Sequence, residues 1–156
     1  MHPIHYRKGT PDDDGAIATH FYQLWLDNNV APEAIRPDWK EDILNFITQA
    51  RECLGYQSFV AEVDSSPVGS VGCQQFAGLY PIPFQPNFRK DGYIWGVYVE
   101  PNFRQQGIGR ALTQLSINYL QDIGCTRAVL NASPSGKSVY EQLGFQAHNA
   151  MVLELS

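Results

Sequence analysis

The chain has 156 residues and a mass of 17.5 kDa, the size of one compact domain spanning 1–156. With 44% hydrophobic and 17% charged residues, it is neither a disordered, a collagen-like nor a coiled-coil sequence. A net charge of −5 and a pI near 5.2 exclude general nucleic-acid binding, which needs a basic surface to displace counterions.

Thr10-Pro11-Asp12-Asp13 reads as a helix start, with Thr as N-cap, Pro in the first turn and acids at the positive helix end. Ile17, Phe21 and Leu24 follow at helical spacing. Residues 28–37 hold two prolines and form a loop. Asp38 with Glu41 can cap a second helix, whose apolar face is Ile43, Phe46, Ile47, Ala50 and Leu54 and whose stop is Gly55. Tyr56 to Val63 and Val68 to Phe76 flank the turn Asp64-Ser65-Ser66-Pro67, which predicts a β-hairpin. Residues 78–92 carry Pro81, Pro83 and Pro86 and read as a long irregular loop.

Tyr93 to Val99 is apolar on both faces, with Tyr93, Trp95, Val97 and Val99 on one and Ile94 and Tyr98 on the other. Such a strand is covered on both sides and central to its sheet. Gly96 inside it marks a bulge or a close approach. After Glu100-Pro101-Asn102-Phe103 comes a helix with Ile108, Ala111, Leu112, Leu115 and Tyr119 on one face, ending near Gly124. Arg127 to Asn131 predicts a short buried strand, Ser133 to Leu143 a short helix stopped by Gly144, and Met151 to Leu155 a closing strand. The sum is a mixed α/β domain.

Cys53, Cys73 and Cys125 are odd in number and scattered, which fits buried reduced thiols better than a disulfide framework or a zinc site. Of the four histidines only the terminal His2/His5 pair is closely spaced, so no metal site is expected. No apolar run reaches the ~20 residues that span a bilayer, and Met1-His2-Pro3-Ile4-His5 lacks a signal-peptide core. A cytoplasmic protein without membrane or nucleic-acid partners is the expectation.

The segment that carries chemistry is Arg104-Gln105-Gln106-Gly107-Ile108-Gly109-Arg110, between the central strand and the long helix. Its backbone N–H groups lie at the positive end of a helix and lack helical partners. Gly107 and Gly109 remove Cβ atoms that would hold a phosphate away, and Arg104 and Arg110 add local positive charge. A hydrogen bond to a charged group contributes ~1.5–3 kcal/mol, so several amides can hold a diphosphate without a metal. A dinucleotide fingerprint does not fit, because its sixth position is Leu112 rather than Gly or Ala. Gly136-Lys137-Ser138 resembles the end of a P-loop, but the required earlier glycine position is Asn131.

These residues resemble the GNAT superfamily of acetyl-CoA-dependent N-acetyltransferases. The family signature Q/R-x-x-G-x-G/A reads here as Arg104 to Gly109, preceded by Val97-Tyr98-Val99-Glu100-Pro101, and the second signature Y-E-x-L-G-F is matched by Tyr140-Glu141-Gln142-Leu143-Gly144-Phe145. The resemblance covers about Tyr56 to the C-terminus. It implies a single mixed sheet of about six to seven strands with about four helices, splayed at the central strand. It further implies that the amides of Gln105, Gln106, Gly107, Ile108, Gly109 and Arg110, with Arg104, hold the CoA pyrophosphate. The backbone around Val97, Tyr98 and Val99 would pair with the pantetheine arm. Tyr140 would act as general acid toward the departing thiolate. Ser133 stands where many relatives have a cofactor-contacting Asn. The base that some relatives carry on the central strand falls at Tyr93 here, leaving Asp91, Glu100, Glu33 or a water chain. The implied activity is acetyl transfer to a primary amine of a small molecule or peptide, with a homodimer common in the family. A non-catalytic acyl-CoA-binding module is the alternative reading, and an ATP-binding protein using residues 136–138 a third. Trp25, Trp39, Tyr22, Tyr80 and Phe84 come from segments that would flank the acceptor cleft.

Overall fold

A computed structural model describes residues 2–156. The chain builds one sheet in the order β1 (His5–Lys8), β2 (Gln57–Val63), β3 (Ser66–Gln75), β4 (Asp91–Val99), β5 (Arg127–Val129). All neighbours run antiparallel except β4 and β5, which are parallel and joined by the crossover helix α3 (Ile108–Asp122). Helices α1 (Asp14–Asp27) and α2 (Trp39–Cys53) precede the hairpin, and the short α4 (Lys137–Gln142) follows β5.

Thr10 opens the first helical segment as its composition demands. Its hydroxyl accepts from Asp12 N–H at 3.3 Å, and Asp13 Oδ2 accepts from Thr10 N–H at 2.8 Å. The first turn is 3-10, and α1 proper starts at Asp14. The guanidinium of Arg7 pairs with Asp13 through two 2.8 Å bonds and with Glu62 at 2.7 Å, which ties β1 and β2 to this helix start. Asp38 precedes α2, but its side chain makes no capping bond. Gly55, at φ +65°, lets the chain leave α2 for β2.

The sheet is packed on both faces. Phe59, Ala61, Val71, Cys73 and Ile94 meet Ile108, Leu112 and Leu120 of α3 on one side, and Ile17, Ile47, Ala50 and Tyr56 gather around Trp95 on the other. Burying each of the Val, Leu, Ile and Phe side chains among these contributes roughly 1.5–3 kcal/mol.

Four expectations change. The sheet has five strands, not six or seven. Met151 to Leu155 forms no strand, and these residues are 81–94% exposed apart from Glu154: an apolar run gives strand propensity, but no strand edge pairs with it here. Conversely, β1 arises from a terminal segment whose pattern is too short to read, and it exists because β2 has an open edge. Cys53 is exposed rather than buried; Cys73 is buried, which pushes its thiol up to about 12, and all three cysteines are unpaired.

The fourth change lies in β4. Tyr98 pairs with Ser70, whereas Trp95 pairs with Gly72, so β4 carries one extra residue at Gly96-Val97. Gly96 sits at φ +67°, a left-handed conformation that glycine adopts without strain. The bulge reverses the alternation: Tyr93 and Trp95 face α1 and α2, while Val97 and Val99 face α3 together with Ile94. The sequence alternation placed all four odd residues on one face; they divide at the bulge.

Candidate active site

The parallel pairing of β4 with β5 lasts only for Asp91 to Tyr93 against Arg127 to Val129. Asp91 clamps this closed end. Its carboxylate accepts from Arg127 Nε and Nη2 at 3.0 Å each and from Arg89 Nη2 at 3.1 Å. Burial would raise its pKa, but the Arg127 and Arg89 bonds outweigh it and hold the carboxyl below its ordinary value. Pairing with β5 ends at Tyr93, and the bulge at Gly96-Val97 follows on the unpaired stretch of β4 that lines the gap.

At the far end of β4 the chain makes a 3-10 turn over Pro101–Phe103 and reaches the glycine loop. Gln105 and Gly107 have φ of +62° and +79°. Gly107 is the N-cap of α3, no side chain caps the helix, and the backbone ladder starts at Ala111 N–H to Gly107 C=O, 3.0 Å. The N–H groups of Ile108, Gly109 and Arg110 therefore open outward at the positive helix end. A Cβ on Gly107 would meet nothing within 4 Å, so the space in front of the loop is open. A Cβ on Gly109 would instead face the Val97 and Val99 methyls at 3.9 Å, so this glycine seats the helix on β4 rather than baring the amides. An uncapped helix start with an open cradle fits the diphosphate of CoA.

Ile108 is buried in the core, so only its backbone is available. The Arg110 guanidinium donates to Gln142 Oε1 at 3.2 Å and bridges α3 to α4. Gln106 is exposed. The Arg104 side chain turns back from the loop: Nε donates to Val99 C=O at 2.7 Å, Nη2 to Asp27 at 2.6 Å, and the guanidinium lies 5.4 Å from the Tyr98 ring centroid. Arg104 thus anchors the loop to β4 and α1. The Tyr98 ring packs against His20 of α1 at a tilt of 37°, centroids 5.1 Å apart, which leaves its backbone as the part available to a ligand. His20 is buried, its Nδ1 2.8 Å from Ser70 Oγ and its Nε2 3.6 Å from Glu100.

A cleft of about 860 Å³ opens between α1, α2, β4 and the segment after β5. Val97, Ser133 and Tyr140 line it, so the gap beside β4 and the second signature meet there. Burial raises the Tyr140 hydroxyl above its ordinary pKa, keeping it protonated. Gly136 makes room for this ring: a Cβ there would lie 3.0 Å from Tyr140 Cε2. Gly136-Lys137-Ser138 therefore forms the start of a six-residue helix under Tyr140 rather than the turn of a nucleotide loop. Ser133 Oγ accepts from Gly136 N–H at 3.3 Å, and its carbonyl accepts from Lys137 N–H at 3.1 Å, so it shapes the entrance of α4.

None of the three carboxylates named as possible bases lines the cleft: Asp91 is locked by arginines, Glu100 faces His20, and Glu33 lies on an exposed turn. Asp27 and Asp42 line it instead. Of the five aromatics expected around it, Trp25 alone does so; Tyr22 and Trp39 stack on each other at 4.3 Å, and Tyr80 stacks on Phe84 at 5.9 Å. Phe21, Phe46, Tyr93 and Trp95 complete the apolar wall. The Tyr93 hydroxyl accepts from Asn131 Nδ2 at 3.1 Å. Periodicity already marked Phe21, Phe46 and Trp95, but as core.

Among the described residues, no group of three or more His, Cys, Asp or Glu side chains is gathered to hold a metal, and no helix is long and apolar enough to cross a membrane.

Comparison with known proteins places this architecture. The profile of the Acetyltransferase (GNAT) family matches residues 18–145, and the chain belongs to that family. It is 34% identical over 89 residues to a glucosamine 6-phosphate N-acetyltransferase of Trypanosoma brucei brucei, covering 52% of this chain and 60% of that protein. It is 32% identical over 95 residues to a thialysine N-epsilon-acetyltransferase of Bos taurus, covering 58% of this chain and 56% of that protein. These matches thus span just over half the length of each relative. A crystal structure of a predicted acetyltransferase with acetyl-CoA from Clostridium acetobutylicum superposes with a TM-score of 0.80 at 22% identity, over 99% of this chain and 96% of that one. The family uses acetyl-CoA.

Proposed function

We propose that the chain transfers the acetyl group of acetyl-CoA to a primary amine of a small molecule or peptide, by direct attack with both substrates bound. The observation that carries this reading is the uncapped start of α3, with Gly107 at positive φ, opening beside the gap between β4 and β5 that leads to Tyr140.

Acetyl-CoA supplies an activated acyl carbon and a thiolate leaving group. The amides from Gln105 to Arg110 bind its diphosphate without a metal, in the field of the α3 dipole. The backbone of Val97 to Val99 orients the pantetheine arm. An N–H at the Gly96-Val97 bulge donates to the thioester oxygen as negative charge develops there. The neutral amine forms the C–N bond, the C–S bond breaks, and the amine's proton leaves through water in the cleft. Tyr140 donates its hydroxyl proton to the departing sulfur and recovers it from solvent. Burial suits this role, because it keeps the phenol protonated across the physiological range.

A screen of free-thiol release with acetyl-CoA across polyamines, aminoglycosides, amino acids, peptide N-termini and lysines tests the reading. Amine-dependent thiol release with matching acetylated product is the expected result. Tight CoA binding with no amine-dependent release across the panel would leave a binding module instead of an enzyme.

A further inference from the structure

The wall chemistry of the acceptor cleft is one-sided. Phe21, Trp25, Phe46 and Trp95 form an edge-to-face array, with ring centroids at 5.7 Å for Phe21–Trp25, 5.1 Å for Phe21–Trp95 and 5.7 Å for Phe46–Trp95. Trp25 and Phe46 are each 45% exposed, and both line the cleft. Large aromatics held at that exposure present π surface to whatever enters.

The charged side chains lining the cleft are Asp27 and Asp42; no Lys, Arg or His is among the lining residues. Asp27 is paired with Arg104. Asp42 meets Arg36 at 3.3 Å, but the two side chains are 76% and 47% exposed, so the pair is weak and its carboxylate can exchange that arginine for an entering ammonium at little cost. The other polar groups that line it, Asn131 and Ser133 among them, are uncharged. A carboxylate that can exchange its partner and π surface along the walls both suit a cation, while no cationic side chain lines the cleft to receive an entering carboxylate or phosphate.

We infer that the acceptor is a cationic amine on an apolar, flat body, of the arylalkylamine kind, carrying neither phosphate nor carboxylate. This rests on the acetyl-transfer reading and names the substrate class for the same cleft. It sets the chain apart from enzymes that acetylate sugar phosphates, whose substrate would require a positive subsite that this cleft does not contain among the described residues.

Two matched pairs test it: 2-phenylethylamine against phenylalanine, and glucosamine against glucosamine 6-phosphate. Each is assayed by thiol release and by calorimetric titration of the protein–CoA complex. 2-Phenylethylamine should exceed phenylalanine by at least about tenfold in kcat/KM and in affinity, and the phosphate should weaken glucosamine rather than help it. Asp42→Asn should raise KM for 2-phenylethylamine about two- to fivefold at unchanged kcat and narrow the gap to phenylalanine. Equal or better handling of phenylalanine or glucosamine 6-phosphate overturns the inference, as does failure of 2-phenylethylamine to bind the complex. Thiol release absent throughout while titration keeps the expected ranking would overturn acetyl transfer and uphold the character of the cleft.

Discussion

The glycine loop and the cleft share one bulged strand, the loop following its Val99 end and the cleft lined by Tyr93 to Val97, yet they are made of different material. The loop is one contiguous run, Gln105 to Arg110, and what it offers a ligand is backbone N–H groups left free by an uncapped helix start. The cleft is assembled from side chains between Phe21 and Tyr140, supplied by α1, α2, β4, the segment after β5 and α4. A backbone site depends on conformation, so it tolerates change in most side chains. A side-chain site depends on which residues the fold brings together. Substitutions should therefore separate cleanly into those that change turnover or acceptor choice and those that change coenzyme affinity.

The largest effect is expected in the cleft, at Tyr140. Tyr140→Phe should lower kcat by about 10²–10⁴-fold, the range of a placed general acid, while acetyl-CoA affinity by titration stays within about twofold. Because burial raises the wild-type phenol, its contribution should persist past pH 10 rather than titrate away there. An unchanged kcat in this variant would remove Tyr140 from the chemistry.

Asp91 sets the geometry that both regions share, because it clamps the one place where β4 and β5 pair before diverging. Asp91→Asn should cost about 2–3 kcal/mol of stability by chemical denaturation, as a buried acceptor of charged hydrogen bonds is weakened. The folded pKa of Asp91 is held below the unfolded value near 4. Its stabilisation is therefore complete above that value and is lost as pH falls through the folded pKa, so the wild type should lose stability below about pH 4 with a steeper slope than the variant. Matching slopes would show that Arg127 and Arg89 do not hold this carboxylate ionised.

How far the sequence could be read follows the same division. The hairpin, the long α3 and the glycine loop were visible because each rests on neighbours in sequence: a turn between alternating runs, a helical face, a signature at a strand–helix junction. The four strands from β2 to β5 were legible for that reason. The strand β1 and the exposed tail at Met151 to Leu155 were not, since a strand exists only when an edge accepts it, and that depends on residues far away. The bulge at Gly96 was flagged, but its consequence for which residues face α3 required the register against β3. The cleft was the least legible part. Phe21, Phe46 and Trp95 carry the periodicity of core residues, and Tyr22 and Trp39 satisfy each other instead of an acceptor.

The two glycines of the loop sharpen the contrast within a single motif. Gly107→Ala places a side chain at φ +79°, at a cost of roughly 1–2 kcal/mol, and so disfavours the turn that leaves the amides free. Acetyl-CoA KM should rise about tenfold or more. Gly109→Ala puts its methyl at ordinary contact distance from Val97 and Val99 within a helix, so affinity should hold and stability should rise by roughly 0.5–1 kcal/mol. Equal losses from both substitutions would mean that the loop binds through shape at each position rather than through amides freed at Gly107.

Arg104 gives the smallest effect and the most pointed test of the backbone argument. Its charge sits in the motif, and the sequence alone assigns it to the diphosphate; its side chain instead bonds Val99 C=O and Asp27. Both partners of that ion pair are partly exposed, with side chains 43% and 41% accessible, which limits its worth to about 1 kcal/mol or less. If the anchor is the function, Arg104→Ala and Asp27→Asn should each raise KM for acetyl-CoA by no more than about fivefold, and the double variant should be no worse than either alone. A direct contact to phosphate predicts otherwise: Arg104→Ala would weaken CoA more than dephospho-CoA or pantetheine analogues, and Asp27→Asn would leave affinity intact or improve it. Titration of the three proteins with CoA and with its truncated analogues decides whether the loop holds its anion through backbone alone.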